Sequence, residues 1–176
     1  MVDSIAKEVR NHILFEFVFA FSFLSSVAAL QNIAGIGDVF LTTGVAHHDR
    51  RIPIPGFDTY GIGKLTTVNP SKMAKALGYK TGVCTTGNSL DWVEKDDELM
   101  KENDASVKDM EAAAIAWTSK MNEVPYLGVK VVTDIVDGGV PTQEEFLANL
   151  ASAAASLQKA LPLVLEYVCD KSHDEL

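Results

Sequence analysis

The stretch KDMEAAAIAWTSKMNEVPYLGVKVVTDIVDG, residues 108–138, decides the fold. It places Met110-Glu111 early on a predicted amphipathic helix, Asp104 to Asn122. On that helix Val107, Met110, Ala113, Ala114, Trp117 and Met121 share one face at helical spacing. Pro125 ends it. Tyr126 to Val132 is then a continuous apolar run, as expected of a strand buried on both faces, and it delivers Thr133-Asp134 just past its end. Two acids near the ends of adjacent elements can face one pocket, one gripping a diol and the other donating a proton.

The flanking sequence alternates strand and helix with short links. Residues 37–46, GDVFLTTGVA, are β-rich and alternate, and Lys80 to Thr86 forms a second strand ending at Gly87-Asn88-Ser89-Leu90. Ser71 to Leu77 is a short helix, capped by Asn69 or Ser71 and stopped by Gly78. Thr142-Gln143-Glu144-Glu145 reads as a capping box opening the last helix. Phe146, Leu147, Leu150, Ala154, Leu157 and Leu161 are expected on its inner side, with a kink at Pro162. The expected architecture is α/β, a mixed, mostly parallel central sheet flanked by helices. Between strand and helix, RRIPIPGFDTYGIG (residues 50–63) must be a loop, and Ile52, Ile54, Phe57 and Tyr60 make it apolar. An apolar loop calls for cover, which a partner subunit would supply.

At 176 residues the chain is long enough for one domain, and 47% hydrophobic with 22% charged residues is ordinary for a globular chain. A net charge of −9 without any Lys/Arg run argues against a nucleic-acid partner, since phosphate binding needs a basic face. Cys84 and Cys169 have no metal or redox spacing and read as free thiols. His47, His48 and Asp49 suggest a metal site at first sight, but adjacent strand residues point to opposite faces and do not easily share one ion.

Residues 108–138 and GDVFLTTGVAHHDRRIPIPGFDTYGIG, residues 37–63, together resemble the plant-type 5′-methylthioadenosine/S-adenosylhomocysteine nucleosidases of the nucleoside phosphorylase superfamily. The resemblance covers roughly residues 37–168. It implies hydrolysis of the N-glycosidic bond of 5′-methylthioadenosine, with S-adenosylhomocysteine as a second substrate, as a step of methionine salvage. It implies no cofactor, no metal, a small-molecule nucleoside as ligand, and a homodimer. The TDIVDG segment resembles the one that holds the family's general acid, which assigns that role to Asp134. Pattern alone leaves Asp134 open as a cap of the next turn. Expelling adenine as an anion is difficult, and protonating N7 lets it leave neutral. A carboxylate there can also accept from the 6-amino group. Glu111 matches the glutamate that bonds both ribose hydroxyls. From the residues themselves, a Glu among Ala112, Ala113, Ala114 and Ile115 needs a partner. Met110 would lie against the sugar, and Lys108, Asp109 and Thr133 complete the matched binding segments. Leu90 takes the place of the apolar residue that covers the adenine, although core packing explains it as well. Asn88 departs from the family's usual Asp in that turn. Ile52, Ile54 and Phe57 lie in the segment that reaches the neighbouring subunit's site in the dimers.

The family's water-activating glutamate and its glycine-rich turn have no match in residues 1–36, where Glu8 and Glu16 stand in other contexts. Ile13 to Leu30 is apolar apart from Glu16 and a few serines, follows Lys7, Arg10 and His12, and carries Val27-Ala28-Ala29 as a small-residue cleavage site, the layout of a secretory signal. As a membrane span it is marginal. The chain ends His173-Asp174-Glu175-Leu176, an ER-retention tetrapeptide, so that one reading is an ER-lumenal protein. The reading adopted is a non-family leader over residues 1–36 (signal-like, or from a mis-joined exon), a partial nucleoside phosphorylase-like domain over 37–170, a tail over 171–176, and a cytoplasmic location. Two alternatives for the activity stay open: an inactive nucleoside-binding or dimerising fragment that lacks the base, and a purine nucleoside phosphorylase.

Overall fold

The computed structural model describes residues 26–29, 33–91, 93–136, 138–169 and 171. Most of the apolar run Ile13 to Leu30 and the last four residues fall outside them. Six strands form one mixed sheet: β1 (Ser26–Ala29), β2 (Val39–His47), β3 (Leu65–Thr66), β4 (Lys80–Thr86), β5 (Ala105–Asp109) and β6 (Val129–Ile135), in the order β3-β2-β4-β5-β1-β6. β2, β4 and β5 run parallel, β1 joins β5 antiparallel and β6 parallel, and β6 closes back antiparallel onto β2. The described sheet is thus a ring of five strands, with β3 hung on the outside of β2.

β2 is the hub. Phe40 and Leu41 point to opposite faces and enter two separate cores. A register shift between Thr42 and Gly44 inserts one extra residue. That reverses the parity, so Val45 rejoins the face of Phe40. The Phe40 face packs with Cys84, Val107, Val132 and helix α4 (Ala112–Met121). The Leu41 face packs with Met73 and Ala74 of helix α2 (Ser71–Leu77) and with Val164 of helix α5 (Thr142–Val168). Two shorter helices complete the described elements, α1 (Asp58–Ile62) in the apolar loop and α3 (Glu94–Glu102) ahead of β5.

The elements expected over 37–46, 71–77 and 80–86 are present as β2, α2 and β4. Gly78, with φ 71°, stops α2, and Asn69 Oδ1 accepts from the Ser71 amide at 3.1 Å. Four expectations are corrected. The helix predicted from Asp104 to Asn122 is instead β5, a turn, and α4. Ala105 to Asp109 is pulled into the sheet between β4 and β1, where Val107, Lys108 and Asp109 are all buried. Its apparent helical spacing came from Val107, which lies on β5, and Met110, which lies in the turn before α4. The strand predicted over Tyr126 to Val132 lies three residues later, so Asp134 is within β6 and not past its end. The box at Thr142 does not form: Pro141 is the N-cap, and Glu145 Oε2 accepts from the Ile135 amide at 2.6 Å. The inner stripe of α5 is Ala153, Leu157, Ala160 and Val164, whereas Leu147 and Leu150 are exposed. The helix runs on through Pro162.

Candidate active site

Ala28 of β1 is the register partner of both Lys108 on β5 and Asp134 on β6. Residues paired in register leave a sheet on one face, so this places Lys108 and Asp134 on the same side, two strand spacings apart. Both are buried. Burial, the largest influence on Asp134, raises its pKa. The Thr133 hydroxyl, donating to Oδ1 at 2.7 Å, and the charge of Lys108 work to lower it, while Glu145 adds to the rise. The net direction is upward. With Oδ1 occupied by Thr133, Oδ2 is buried and makes no hydrogen bond among the described residues. An acid in this setting can hold a proton to higher pH than a surface carboxyl, and it has one oxygen free to present it.

Glu111 follows β5 directly and is the N-cap of α4. Its carbonyl accepts the first helical bond, from Ile115 N at 3.0 Å. Its carboxylate makes no capping bond, and Oε2 is buried without a hydrogen bond among the described residues. The orphan amides of the helix start are served by others. Asp109 Oδ2 accepts from Ala112 N at 2.9 Å, and Thr86 Oγ1 accepts from Ala113 N at 2.8 Å. Thr86 Oγ1 in turn donates to Asp109 Oδ1 at 2.6 Å. Lys130 Nζ lies 2.5 Å from Asp109 Oδ2, with both side chains fully buried. Burial is the largest single influence and works to lower the Lys130 pKa, but Asp109, Cys84 and Tyr126 together outweigh it, and Lys130 is held above its ordinary value. Asp109, expected from the resemblance to be a binding residue, thus has both oxygens committed to the protein. Its neighbours Met110, 39% exposed, and Glu111, half-buried, are the groups this turn offers outward.

Leu90 is half-buried in the bend after β4. Lys108 Nζ donates to the carbonyl of Asp91 beside it. Burial lowers the Lys108 pKa, against the raising influence of Asp96, Asp91, Asp134 and Asp49. Ile52 is half-buried, while Ile54 and Phe57 are 54% and 49% exposed on the loop before and into α1. Arg50 Nε donates to Gly61 O at 2.8 Å, and Tyr60 meets Trp117 of α4 edge-on at 5.8 Å. The apolar loop is therefore fastened to the helix that begins at Glu111. Lys108, Thr133 and Asp134 come together across the sheet, Glu111 and Met110 project from the next turn, and Ile54 and Phe57 stand apart on the surface.

Lys130 and Thr86 were missed in the sequence, and Asp49 and Glu145 were noticed there only as part of a metal-like triplet and of a capping box. One of them had a signal: Lys130 interrupts the otherwise apolar run from Tyr126 to Val132, and a lysine there must have an acid within reach. Among the described residues no group of three His, Cys, Asp or Glu side chains is arranged to hold a metal ion.

The profile of the Phosphorylase superfamily matches residues 4–168, a range that begins inside the segment read as a leader. The chain belongs to that superfamily. It is 45% identical over 143 residues to a 5′-methylthioadenosine/S-adenosylhomocysteine nucleosidase of Arabidopsis thaliana, an alignment covering 81% of this chain and 56% of that protein. The apo structure of an Arabidopsis thaliana 5′-methylthioadenosine nucleosidase superimposes with a TM-score of 0.82 at 41% identity, over 86% of this chain and 62% of that one. Futalosine hydrolase of Helicobacter pylori shares the fold at 21% identity, with a TM-score of 0.69 over 82% of this chain and 66% of that one. This superfamily chain thus spans little more than half the length of the plant relative it matches in sequence. Since the fold also serves a hydrolase of another name, substrate choice must be argued from the site.

Proposed function

We propose that the site hydrolyses the N-glycosidic bond of 5′-methylthioadenosine, with S-adenosylhomocysteine as a second substrate, as in methionine salvage. The observation that carries this is Asp134: a buried acid with its pKa raised, one oxygen held by Thr133 and the other free to donate. The C1′–N9 bond breaks with its electron pair going to adenine, Asp134 delivers a proton to N7, and water adds to C1′. The proton that water loses balances the one given to N7, and the products are adenine and 5-methylthioribose. Glu111 Oε2 accepts from the ribose hydroxyls, and its charge favours the cationic sugar of the transition state. Met110 offers soft contact to a thioether. The names of the plant relative and neighbour support the same substrate. Release of adenine from methylthioadenosine by the purified chain, followed by chromatography, tests the reading; no release at any substrate concentration overturns it.

Glu111→Gln is expected to weaken nucleoside binding at least about tenfold, because hydrogen bonds to a charged acceptor contribute about 1.5–3 kcal/mol each. Free adenine has no ribose and should lose little. Titration calorimetry with both ligands checks this, and equal losses point to a folding defect instead.

The exposed Ile54, Phe57 and Tyr60, on a loop stiffened by Pro53 and Pro55, support a homodimer in which this loop also covers the alkylthio end of the pocket. Changing Ile54 and Phe57 together to Asp is expected to give monomers with weaker methylthioadenosine affinity. A parent chain already monomeric at micromolar concentration in light scattering sinks the shared-site idea. Among the described residues no helix is long and apolar enough to cross a membrane. Two free thiols support the reducing cytoplasm as its compartment.

A further inference from the structure

The loop that carries Leu90 is fastened at several points, and one fastening depends on an amide where a carboxylate would fail. β2 and β4 are parallel neighbours with His47 opposite Thr86. Asp49 and Asn88 each lie two residues beyond that pair, so the two loops leave the sheet side by side. Asp49 Oδ2 accepts from Asn88 N at 2.6 Å and from Asn88 Nδ2 at 2.8 Å. Asp49 Oδ1 is buried and makes no hydrogen bond among the described residues, so Oδ2 alone holds the loop. Gly87 N donates to Asp109 O at 3.0 Å, and a Cβ on Gly87 would stand 2.2 Å from His48 Nε2, so the loop base fits against the imidazole only as glycine. At the far end Lys108 Nζ holds the Asp91 carbonyl. Leu90 lies between the two anchors.

We infer that Asp49 and Asn88 are positioning residues, a clamp that fixes the height of Leu90 over the purine. This rests on the proposal that Leu90 covers the adenine of a bound nucleoside. The identity of residue 88 follows from the charge of residue 49. The Asn88 amide donates to a carboxylate, whereas a carboxylate in its place would meet Asp49 at 2.8 Å with no proton between them. The side-chain bond would be lost, and only the backbone N–H of residue 88 would hold Asp49 against the repulsion, loosening the loop between its Gly87 and Lys108 attachments.

Four proteins test the clamp: the parent, Asn88→Asp, Asp49→Asn, and the double exchange Asp49→Asn/Asn88→Asp, which has the parent's net charge. Backbone hydrogen exchange over residues 87–91 reads the loop without any ligand, and calorimetry with adenine reads its consequence. Asn88→Asp is expected to speed exchange and weaken adenine binding by about tenfold. The double exchange is expected to recover part of each loss and not all of it, because the new amide at 49 can donate to the new carboxylate at 88 but the same atom cannot also accept from the residue 88 backbone N–H, as Asp49 Oδ2 does now. A purely structural defect at position 88 would not be rescued by a second substitution. Parent-like exchange in Asn88→Asp overturns the clamp. So does a double exchange as defective as the single one, and so does rescued exchange with adenine affinity equal in all four proteins. A parent that binds no adenine overturns the nucleosidase reading itself, and with it the purine role of Leu90, whatever the exchange rates show.

Discussion

Asp134→Asn is expected to lower adenine release by about 10²–10⁴-fold, the usual contribution of a positioned general acid. Asparagine is close in size to aspartate and can still accept from the Thr133 hydroxyl that now bonds Oδ1 at 2.7 Å. It has no proton to give to N7, so adenine must leave as an anion or not at all. Loss of activity by unfolding has to be separated from loss of the acid, and the burial of Asp134 supplies the means. Its carboxyl is held above the ordinary value, chiefly by burial. The folded chain therefore keeps this proton at pH values where the unfolded chain has lost it. The resulting penalty on stability is absent below the unfolded pKa, grows through the window between the two, and is complete above the folded one. At neutral pH the uncharged asparagine removes that penalty. The variant is expected to melt at or above the parent temperature while turning over far less. Adenine release within about threefold of the parent would remove Asp134 from the acid's role.

The same direction sets the pH dependence of the parent. The acid is useful only while protonated, so adenine release is expected to fall as pH rises through the raised pKa of Asp134. Lys108 moderates this by favouring the ionised form, and Glu145 opposes it.

The sequence revealed the elements whose residues agree with their neighbours. β2, α2 and β4 were legible because alternation, a glycine stop and β-branched residues all pointed one way. β5 was not. Ala105 to Asp109 is too short and too polar to read as a strand, and it becomes one because β4 and β1 flank it and bury its lysine and aspartate. Likewise Leu147 and Leu150 have the spacing of an inner stripe, but the direction in which α5 meets the sheet is set by Ala153, Ala160 and Val164, small side chains that let it approach. For the candidate site, Glu111 stood out as an acid among small apolar residues, and Asp134 as an acid at the end of an apolar run in a segment that resembles the family's. What lies behind them was hidden, because Lys130–Asp109, Thr86–Asp109 and Asn88–Asp49 join residues 20 to 40 positions apart, and only the sheet register brings them together.

The largest effect on stability is expected at Lys130. Lys130→Met removes one member of an ion pair whose two side chains are both fully buried. Methionine fills much of the same volume, so the loss is not a cavity but an uncompensated charge on Asp109. Breaking a buried pair from one side costs about 3–5 kcal/mol, and a shift of the urea midpoint at constant slope measures it. Asp109 would keep Thr86 Oγ1 and Ala112 N, two donors that soften the cost but carry no full charge. Neutralising the orphan as well, in Lys130→Met/Asp109→Asn, should recover part of the loss, so the two substitutions are expected to be strongly non-additive. The functional consequence runs through the turn these groups fix. Asp109 and Thr86 hold the first amides of α4, and Glu111 is the cap between them. A loosened turn moves Glu111 more than Leu90, whose loop keeps its Asp49 anchor beside those on Asp109 and Lys108. Nucleoside affinity should therefore fall more than adenine affinity in Lys130→Met, the same split as in Glu111→Gln. A cost below about 1 kcal/mol, with both affinities unchanged, would show that the buried pair neither stabilises the sheet junction nor positions the sugar carboxylate.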